Sequence, residues 1–139
     1  MSRLPESAPP ARELTIGIAD MIAYAGATWD WHRLHYDPEY LAEKGLTTAV
    51  VDGQVFGAVV AAQVQDWAGP SWRVAELDLT YRNLVLAGER IRCEAEVIAG
   101  PSDRVELRHR VVVVGSDGTE VRTAVEPART VLVPWSGTP

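Results

Sequence analysis

A carboxylate and an imidazole lie five residues apart in the segment 29–37, which reads WDWHRLHYD. Asp30 and His35 are the candidate catalytic pair, because a carboxylate beside an imidazole can hold a water molecule and exchange protons with it. His32 and Trp31 lie between them and are candidate substrate contacts. The alternatives are that Asp30 and His35 only stabilise a loop, that His32 contacts the loop or solvent, and that Trp31 simply packs.

A glycine at the start of an apolar stretch is the second chemical feature. Asp52 and Gly53 open this stretch, which ends at Gly69–Pro70. A helix that begins on glycine offers free backbone N–H groups, and its dipole favours negative charge at the same end. Gly53 is therefore a candidate oxyanion-binding residue with Asp52 beside it, although it can also be only a helix-start glycine.

The stretch 54–67 predicts a buried helix, because apolar side chains surround most of it. Its valines also fit a strand, but its length and the Gly69–Pro70 end favour a helix. The apolar positions are Val55, Phe56, Val59, Val60, Val64 and Trp67.

The second half of the chain alternates apolar and charged residues, which is typical of half-buried strands. In the run 89–97, Ile91, Cys93, Ala95 and Val97 share one face, and the charged residues occupy the other. Similar runs lie at 72–82, 105–114 and 119–133, with turn signals at 100–103 and 115–118. We expect an antiparallel meander, with His109 as a packed core or interface residue.

Shorter elements connect these parts. The pattern predicts a strand at 14–18 and a brief helix capped by Asp20, which continues through Tyr24 and stops at Gly26. The segment 30–37 is expected to be a loop, and Pro38 and Gly45 bound another short helix.

One buried helix and several long antiparallel strands predict an α+β domain in which a curved sheet wraps around the helix, the hotdog fold. We expect this domain at 13–134, after a flexible lead-in at 1–12 and before a tail at 135–139. A sheet edge that needs protection and five tryptophans also favour side-by-side pairing into a dimer.

The composition excludes several classes of protein. A length of 139 residues fits one domain, and a net charge of -6 with a pI near 5.0 argues against a nucleic-acid surface. No run approaches the ~18 apolar residues that a membrane span needs, and no secretory signal is seen, so we expect a cytoplasmic protein. The single cysteine, Cys93, excludes an internal disulfide and is expected in the core.

The chain resembles the MaoC-like or R-specific enoyl-CoA hydratases from about Leu14 to Val133. Their signature reads Gly-Asp-x-Asn-Pro-Leu-His, and a glycine then opens the central helix. The Asp, Leu and His of this signature match Asp30, Leu34 and His35. The family's His-Gly pair corresponds to Asp52–Gly53, and the segment YRNLVLAGE at 81–89 is similar to its Arg-x-Pro-Val-x-Pro-Gly-Asp turn.

The chain departs from this signature at several positions. His32 replaces the Asn of the signature, Arg33 the Pro and Trp29 the Gly. In the central helix, Ala61 and Ala62 lie where relatives often carry a serine. This variant is most similar to small actinobacterial members, including the small subunits of steroid side-chain enoyl-CoA hydratases. Those subunits work beside a second hotdog chain.

The resemblance implies reversible hydration of a trans-2-enoyl-CoA to a 3-hydroxyacyl-CoA, with the coenzyme A thioester as substrate and no metal or other cofactor. Asp30 is the candidate base for the water that attacks carbon 3, and His35 shares this water and handles the proton for carbon 2. The Gly53 N–H is expected to stabilise the thioester oxygen. The order of proton transfers, the acyl chain and the direction stay open.

Three alternatives share the fold: a dehydratase acting on acyl-carrier-protein esters, a thioesterase, and a non-catalytic hotdog subunit of a heteromeric hydratase. Thioesterases usually place an acid on or near the central helix, where Asp52 and Asp66 lie. A non-catalytic subunit is expected to lack one member of the Asp30–His35 pair. Both a homodimer and a heteromer with a second hotdog chain are compatible with the resemblance.

Overall fold

The structure, a computed structural model, describes residues 3–100 and 102–137. Its strands are β1 (Arg12–Thr15), β2 (Trp72–Tyr81), β3 (Arg90–Ala99), β4 (Val105–Val114) and β5 (Glu120–Pro134). Its helices are α1 (Ile18–Thr28), α2 (Pro38–Glu43) and α3 (Gly53–Ala68), and a 3-10 turn covers Arg33–His35.

The five strands form one antiparallel sheet in the order β1-β3-β4-β5-β2. Only β3, β4 and β5 follow one another as the expected meander, so the prediction was wrong for β2, which pairs with β5 instead of β3. The reason lies in the segment 82–89, which is too long for a tight hairpin and bonds elsewhere. The Val51 N–H donates to the Val85 carbonyl at 2.8 Å, and Ala87 N–H donates to the Ala49 carbonyl at 2.8 Å.

The predicted buried helix is α3, and the sheet packs around it. Val60 and Val64 on α3 have no exposed surface, and neither have Ile91 and Val111 on the sheet. Close packing against β2 depends on Gly57, because a side-chain Cβ there would lie 3.3 Å from Leu79 Cδ1. The α+β hotdog architecture is therefore confirmed, and Cys93 lies in the core as expected.

The first helix differs from its prediction. α1 begins at Ile18 after Gly17, and Asp20 is not its cap but an acid of its first turn, accepting a 2.9 Å hydrogen bond from the Gly17 N–H. An acid at this position satisfies a free N–H as well as a cap would. The helix also continues past Gly26, since the neighbouring alanines favour helix strongly enough to tolerate one glycine.

Part of the expected lead-in contacts α3. The buried Gln63 side chain donates to the Pro10 carbonyl at 2.8 Å, and Trp67 Nε1 donates to the Ser7 carbonyl at 2.8 Å. These bonds hold the segment before β1 along the helix. The domain bounds stay a prediction, as does side-by-side dimerisation.

Among the described residues, no helix combines the length and the apolar character that crossing a bilayer requires.

Candidate active site

His35 lies at the end of the 3-10 turn, and one of its ring nitrogens is fixed by the backbone. Its Nδ1 is 2.7 Å from the Val50 carbonyl oxygen. Because a carbonyl can only accept, Nδ1 must carry the proton in this contact. Nε2 is then the nitrogen that can accept a proton from a bound molecule.

Asp30 directly follows the last turn of α1. That helix ends at Thr28, and its C-cap Trp29 adopts the left-handed backbone conformation with φ 58°, which turns the chain into the segment 30–32. One Asp30 oxygen accepts from the His32 N–H at 3.3 Å, and the other accepts from Gln54 Nε2 at 3.2 Å. The carboxylate is thus held by its own loop on one side and by α3 on the other.

Three titratable side chains meet at this point. A carboxylate oxygen of Asp30, a carboxylate oxygen of Asp52 and a ring nitrogen of His35 all lie within 4.8 Å of one another. One water molecule making hydrogen bonds of about 2.8 Å can span such separations. The arrangement can therefore hold a water between an acid and an imidazole.

Asp52 is the N-cap of α3 and is buried. Its Oδ1 accepts a 2.9 Å hydrogen bond from the Gln54 N–H, the second residue of the helix. The Gly53 N–H makes no hydrogen bond within the described residues. The Asp52 cap thus satisfies the N–H of Gln54 and leaves the N–H of Gly53 to donate to a ligand.

A cavity of about 290 Å³ lies beside these groups. His35 and Gly53 line it, together with mostly apolar side chains that include Phe56 and Leu84. It is of the size of small-molecule sites, which are commonly apolar with a few polar groups that orient the ligand. The Gly53 donor and the His35 ring therefore share one apolar cavity.

Two tyrosines hold the first turn of α3. The Tyr81 hydroxyl donates to the Gly53 carbonyl at 2.9 Å, and the Tyr24 hydroxyl donates to the Gln54 carbonyl at 3.1 Å. Burial, and then the nearby Asp52 carboxylate, raise the pKa of both tyrosines above the usual value. Both hydroxyls are therefore protonated donors at neutral pH.

The structure brings some of the predicted site residues together and leaves others outside. Asp30, His35 and Asp52 meet at one point, and the cavity beside it is lined by His35 and Gly53 but not by the two carboxylates. His32 is exposed, and its Nδ1 accepts from the Leu34 N–H at 3.1 Å, so it caps the 3-10 turn. Trp31 does not line the cavity.

Trp31 instead belongs to an aromatic cluster on the surface. Its ring lies edge-on to Trp29, with centroids 6.0 Å apart, and edge-on to Tyr36 at 6.3 Å. All three side chains are exposed. Trp31 thus packs on Trp29 and Tyr36, and its role as a substrate contact stays a prediction.

Gln54 and Tyr24 contribute to the site although no signal in the sequence pointed to them. In the sequence, Gln54 was interpreted only as an interruption of an apolar helix, and Tyr24 only as part of a short helix. Tyr81 begins the segment 81–89 that resembles a family turn, which was a usable hint that it lies near the site.

Comparison with known proteins supplies the family. The model of the MaoC like domain matches residues 2–122. The chain belongs to the MaoC-like domain family. The comparison with curated proteins finds no match.

Solved structures share the MaoC-like fold over nearly the whole chain. One is a chain of the ChsH1–ChsH2 complex from Mycobacterium tuberculosis, with 21% identity, a TM-score of 0.79, and coverage of 97% of this chain and 100% of that one. Another is the (R)-hydratase from A. caviae involved in PHA biosynthesis, with 22% identity, a TM-score of 0.76, and coverage of 91% and 96%. At these identities the likeness shows a common fold.

The R-hydratase PhaJ1 from Pseudomonas aeruginosa is similar as well. It shares 20% identity with a TM-score of 0.75, and the alignment covers 100% of this chain and 90% of that one. A complex with a carrier-protein substrate in its name, the HadBC (3R-hydroxyacyl-ACP dehydratase) of Mycobacterium tuberculosis, matches with 17% identity and a TM-score of 0.68. It covers 91% of this chain and 92% of that one.

Proposed function

We propose that this protein is a hydro-lyase that reversibly hydrates a trans-2-enoyl-CoA to a 3-hydroxyacyl-CoA. The observation that carries the proposal is the meeting of Asp30 and His35 with Asp52 within 4.8 Å, beside a cavity lined by His35 and Gly53. Membership of the MaoC-like family and the fold shared with R-hydratases support the same reaction class.

In the hydration direction, a water molecule lies between Asp30 and His35 Nε2. Its oxygen forms a bond to carbon 3 as one proton passes to this pair, and a proton is delivered from the pair to carbon 2. The net change is the addition of one water across the double bond. General acid–base catalysis of this kind contributes ~10²–10⁴ in rate.

Negative charge develops on the thioester oxygen as the water adds. The Gly53 N–H, at the positive end of α3 and without an internal partner, donates to this oxygen. One such donor is worth roughly 2.7–4 kcal/mol of transition-state stabilisation in other enzymes. The two tyrosine contacts with the first turn keep this donor in place.

The carboxylate of Asp52 favours one rival reaction. It lies beside the Gly53 donor and near His35, where an acid could direct water at the thioester carbonyl instead of carbon 3. Thioester hydrolysis would release a free thiol, whereas hydration keeps the thioester intact. This difference in products separates the two reactions.

The test is to incubate the purified chain with a medium-chain trans-2-enoyl-CoA and to follow two signals. Hydration predicts loss of the absorbance of the conjugated thioester, with no thiol detected by a thiol reagent and a 3-hydroxyacyl-CoA as product. Release of free coenzyme A at the same rate would favour the thioesterase. A carrier-protein ester assayed in parallel decides between coenzyme A and carrier-protein substrates.

We propose further that the chain works as a homodimer or beside a second hotdog chain. Leu77, Tyr81 and Leu84 are exposed on the edge strand β2 and the residues that follow it, and Tyr81 and Leu84 also line the cavity. Two structures of the same fold are named as two-chain complexes, ChsH1–ChsH2 and HadBC. Light scattering distinguishes the two assemblies. It is measured on the chain purified alone and on the chain co-expressed with candidate hotdog partner chains.

A further inference from the structure

Gln54 links three parts of the site through one residue. Its side-chain amide donates to Asp30, its backbone N–H donates to the Asp52 carboxylate, and its backbone carbonyl accepts from the Tyr24 hydroxyl. The two backbone contacts fix its Cα on the first turn of α3. The Gln54 side chain therefore extends from a backbone position that two hydrogen bonds hold in place.

The Asp30 carboxylate depends on this side chain for its orientation. Apart from Gln54, its hydrogen bond within the described residues comes from the His32 N–H at 3.3 Å, which is long for an N–H donor. Asp30 also lies in an irregular segment that begins after the left-handed Trp29. Of its two anchors, Gln54 is the one that comes from a regular element.

The other glutamines of α3 have a different task. Gln63 donates to the backbone carbonyls of Pro10 and Cys93, and Gln65 donates to those of Gly69 and Trp72. Both satisfy main-chain acceptors around the helix and so stabilise the fold. Among the described glutamines of this helix, Gln54 alone reaches a carboxylate of the candidate site.

We propose that Gln54 is a positioning residue that aligns the Asp30 carboxylate with His35 and the bound water. The proposal rests on the proposed hydration. Gln54 need not touch the thioester, because its amide is engaged by Asp30 at 3.2 Å. Gln54 affects the rate of proton transfer, whereas the cavity and Gly53 determine the affinity for the substrate.

Two variants separate this role from a purely structural one. Gln54→Met removes the amide but keeps the length of the side chain and both backbone contacts. Gln54→Glu places a second carboxylate against Asp30, and like charges so close resist simultaneous ionisation. Ala62→Glu is the matched control, because it adds the same charge at an exposed position of α3.

The first readout needs no substrate. The Asp30 carboxyl carbon is observed by carbon-detected NMR at one neutral pH in the wild-type chain and in the variants. We expect its chemical shift to change in both Gln54 variants, which lose the amide donor, and to stay in place in Ala62→Glu. A chemical shift that is unchanged in both Gln54 variants overturns the proposal, because the two side chains would then not be in contact.

The second readout is the steady-state hydration rate. Gln54→Met should lower kcat roughly 10- to 100-fold, the loss expected for one hydrogen bond to a charged group, with KM nearly unchanged. In Gln54→Glu the acidic limb of the pH–rate profile should move to higher pH, which a loss of folded protein would not produce.

The outcomes distinguish this proposal from the hydration on which it rests. A wild-type chain that fails to hydrate any enoyl thioester overturns the proposed function, and the positioning role falls with it. If the wild-type chain hydrates normally and Gln54→Met has the same kcat, the positioning role alone is overturned.

Discussion

The Tyr81 ring occupies the space that a side chain at residue 53 would need. A Cβ built on Gly53 lies 3.0 Å from Tyr81 Cζ, and the Tyr81 hydroxyl donates to the Gly53 carbonyl at 2.9 Å. The absence of a side chain at the start of α3 therefore serves two purposes. It leaves room for a thioester at the N–H and for the tyrosine that holds the same peptide.

Gly53→Ala should reduce turnover by displacing this tyrosine. The new Cβ must push the ring outward, since 3.0 Å is closer than carbon atoms pack, and this strains the hydrogen bond to the Gly53 carbonyl. We expect kcat to fall by about tenfold or more, because the oxyanion donor is no longer fixed. Steady-state hydration kinetics and thermal melting measure the effect.

Two variants control this experiment. Gly26→Ala lies in α1, where a Cβ meets nothing within 4 Å, and should leave turnover unchanged while raising the unfolding free energy by about 0.5–1 kcal/mol. Tyr81→Phe keeps the ring and removes the hydroxyl. If Gly53→Ala turned over substrate like the wild-type chain, the space left by the missing side chain at residue 53 would have no part in catalysis.

Stability should fall between pH 6.5 and pH 4 because of His109. This side chain is buried on β4, its Nε2 is 2.8 Å from the Thr130 hydroxyl, and its Nδ1 has no hydrogen-bond partner within the described residues. Burial lowers the pKa of His109 to about 4. The unfolded chain, with an ordinary histidine pKa of about 6.5, binds a proton first as the pH falls.

The contribution of His109 is complete above about pH 6.5 and should be reduced by about 2 kcal/mol at pH 5. Urea unfolding at pH 7.5 and pH 5 measures this difference. Carboxyl groups with a lowered pKa, such as Glu76 and Glu13, lose their contributions only at lower pH. His109→Gln should make the unfolding free energy less dependent on pH in this window, and an unchanged dependence would contradict the assignment.

Cys93 should resist thiol reagents until the chain unfolds. It has no exposed surface, its Sγ is 3.1 Å from the Gln63 side-chain oxygen, and burial raises its pKa to about 12. The thiolate is the reactive form, so the native thiol is both inaccessible and protonated. We expect modification at the rate of unfolding, and fast labelling of the native chain at pH 7.5 would contradict the packing described for the core.

Hydration should be insensitive to chelators. Asp30, His35 and Asp52 are residue types that also bind divalent cations, and their donor atoms lie close together. In the proposed reaction, the charge on the thioester oxygen is met by the Gly53 N–H, and no step requires a cation. Activity that disappears with EDTA and returns with one added metal would show that the three side chains act as ligands.

The sequence predicted the main helix, the long strands and the fold class because its patterns are periodic. The alternation at 105–114 predicts β4 with its observed bounds, and the apolar stretch with its Gly69–Pro70 end predicts α3 to within one residue at each end. Such patterns do not predict which strands pair with each other. The place of β2 beside β5 follows from where the segment 82–89 bonds, which involves residues far apart in the chain.

The candidate site could be predicted in part for the same reason. Asp30 and His35 are close in sequence, so their proximity follows from a local segment, and the resemblance to a family adds Gly53. The contacts of Gln54 with Asp30 and of Tyr81 with Gly53 join residues 24 and 28 positions apart. Such contacts depend on how α3 meets its neighbours, and spacing along the chain does not reveal them.

The most direct test of the account is the hydration rate of Asp30→Asn and His35→Ala with a medium-chain enoyl-CoA. Each change removes one of the groups that hold the water, so each should lower kcat by ~10²–10⁴ without changing thermal melting. Asp66→Asn, an exposed carboxylate near the other end of α3, is the charge-matched control for Asp30→Asn and should keep normal turnover. Near-normal hydration by both site variants would contradict the proposed mechanism.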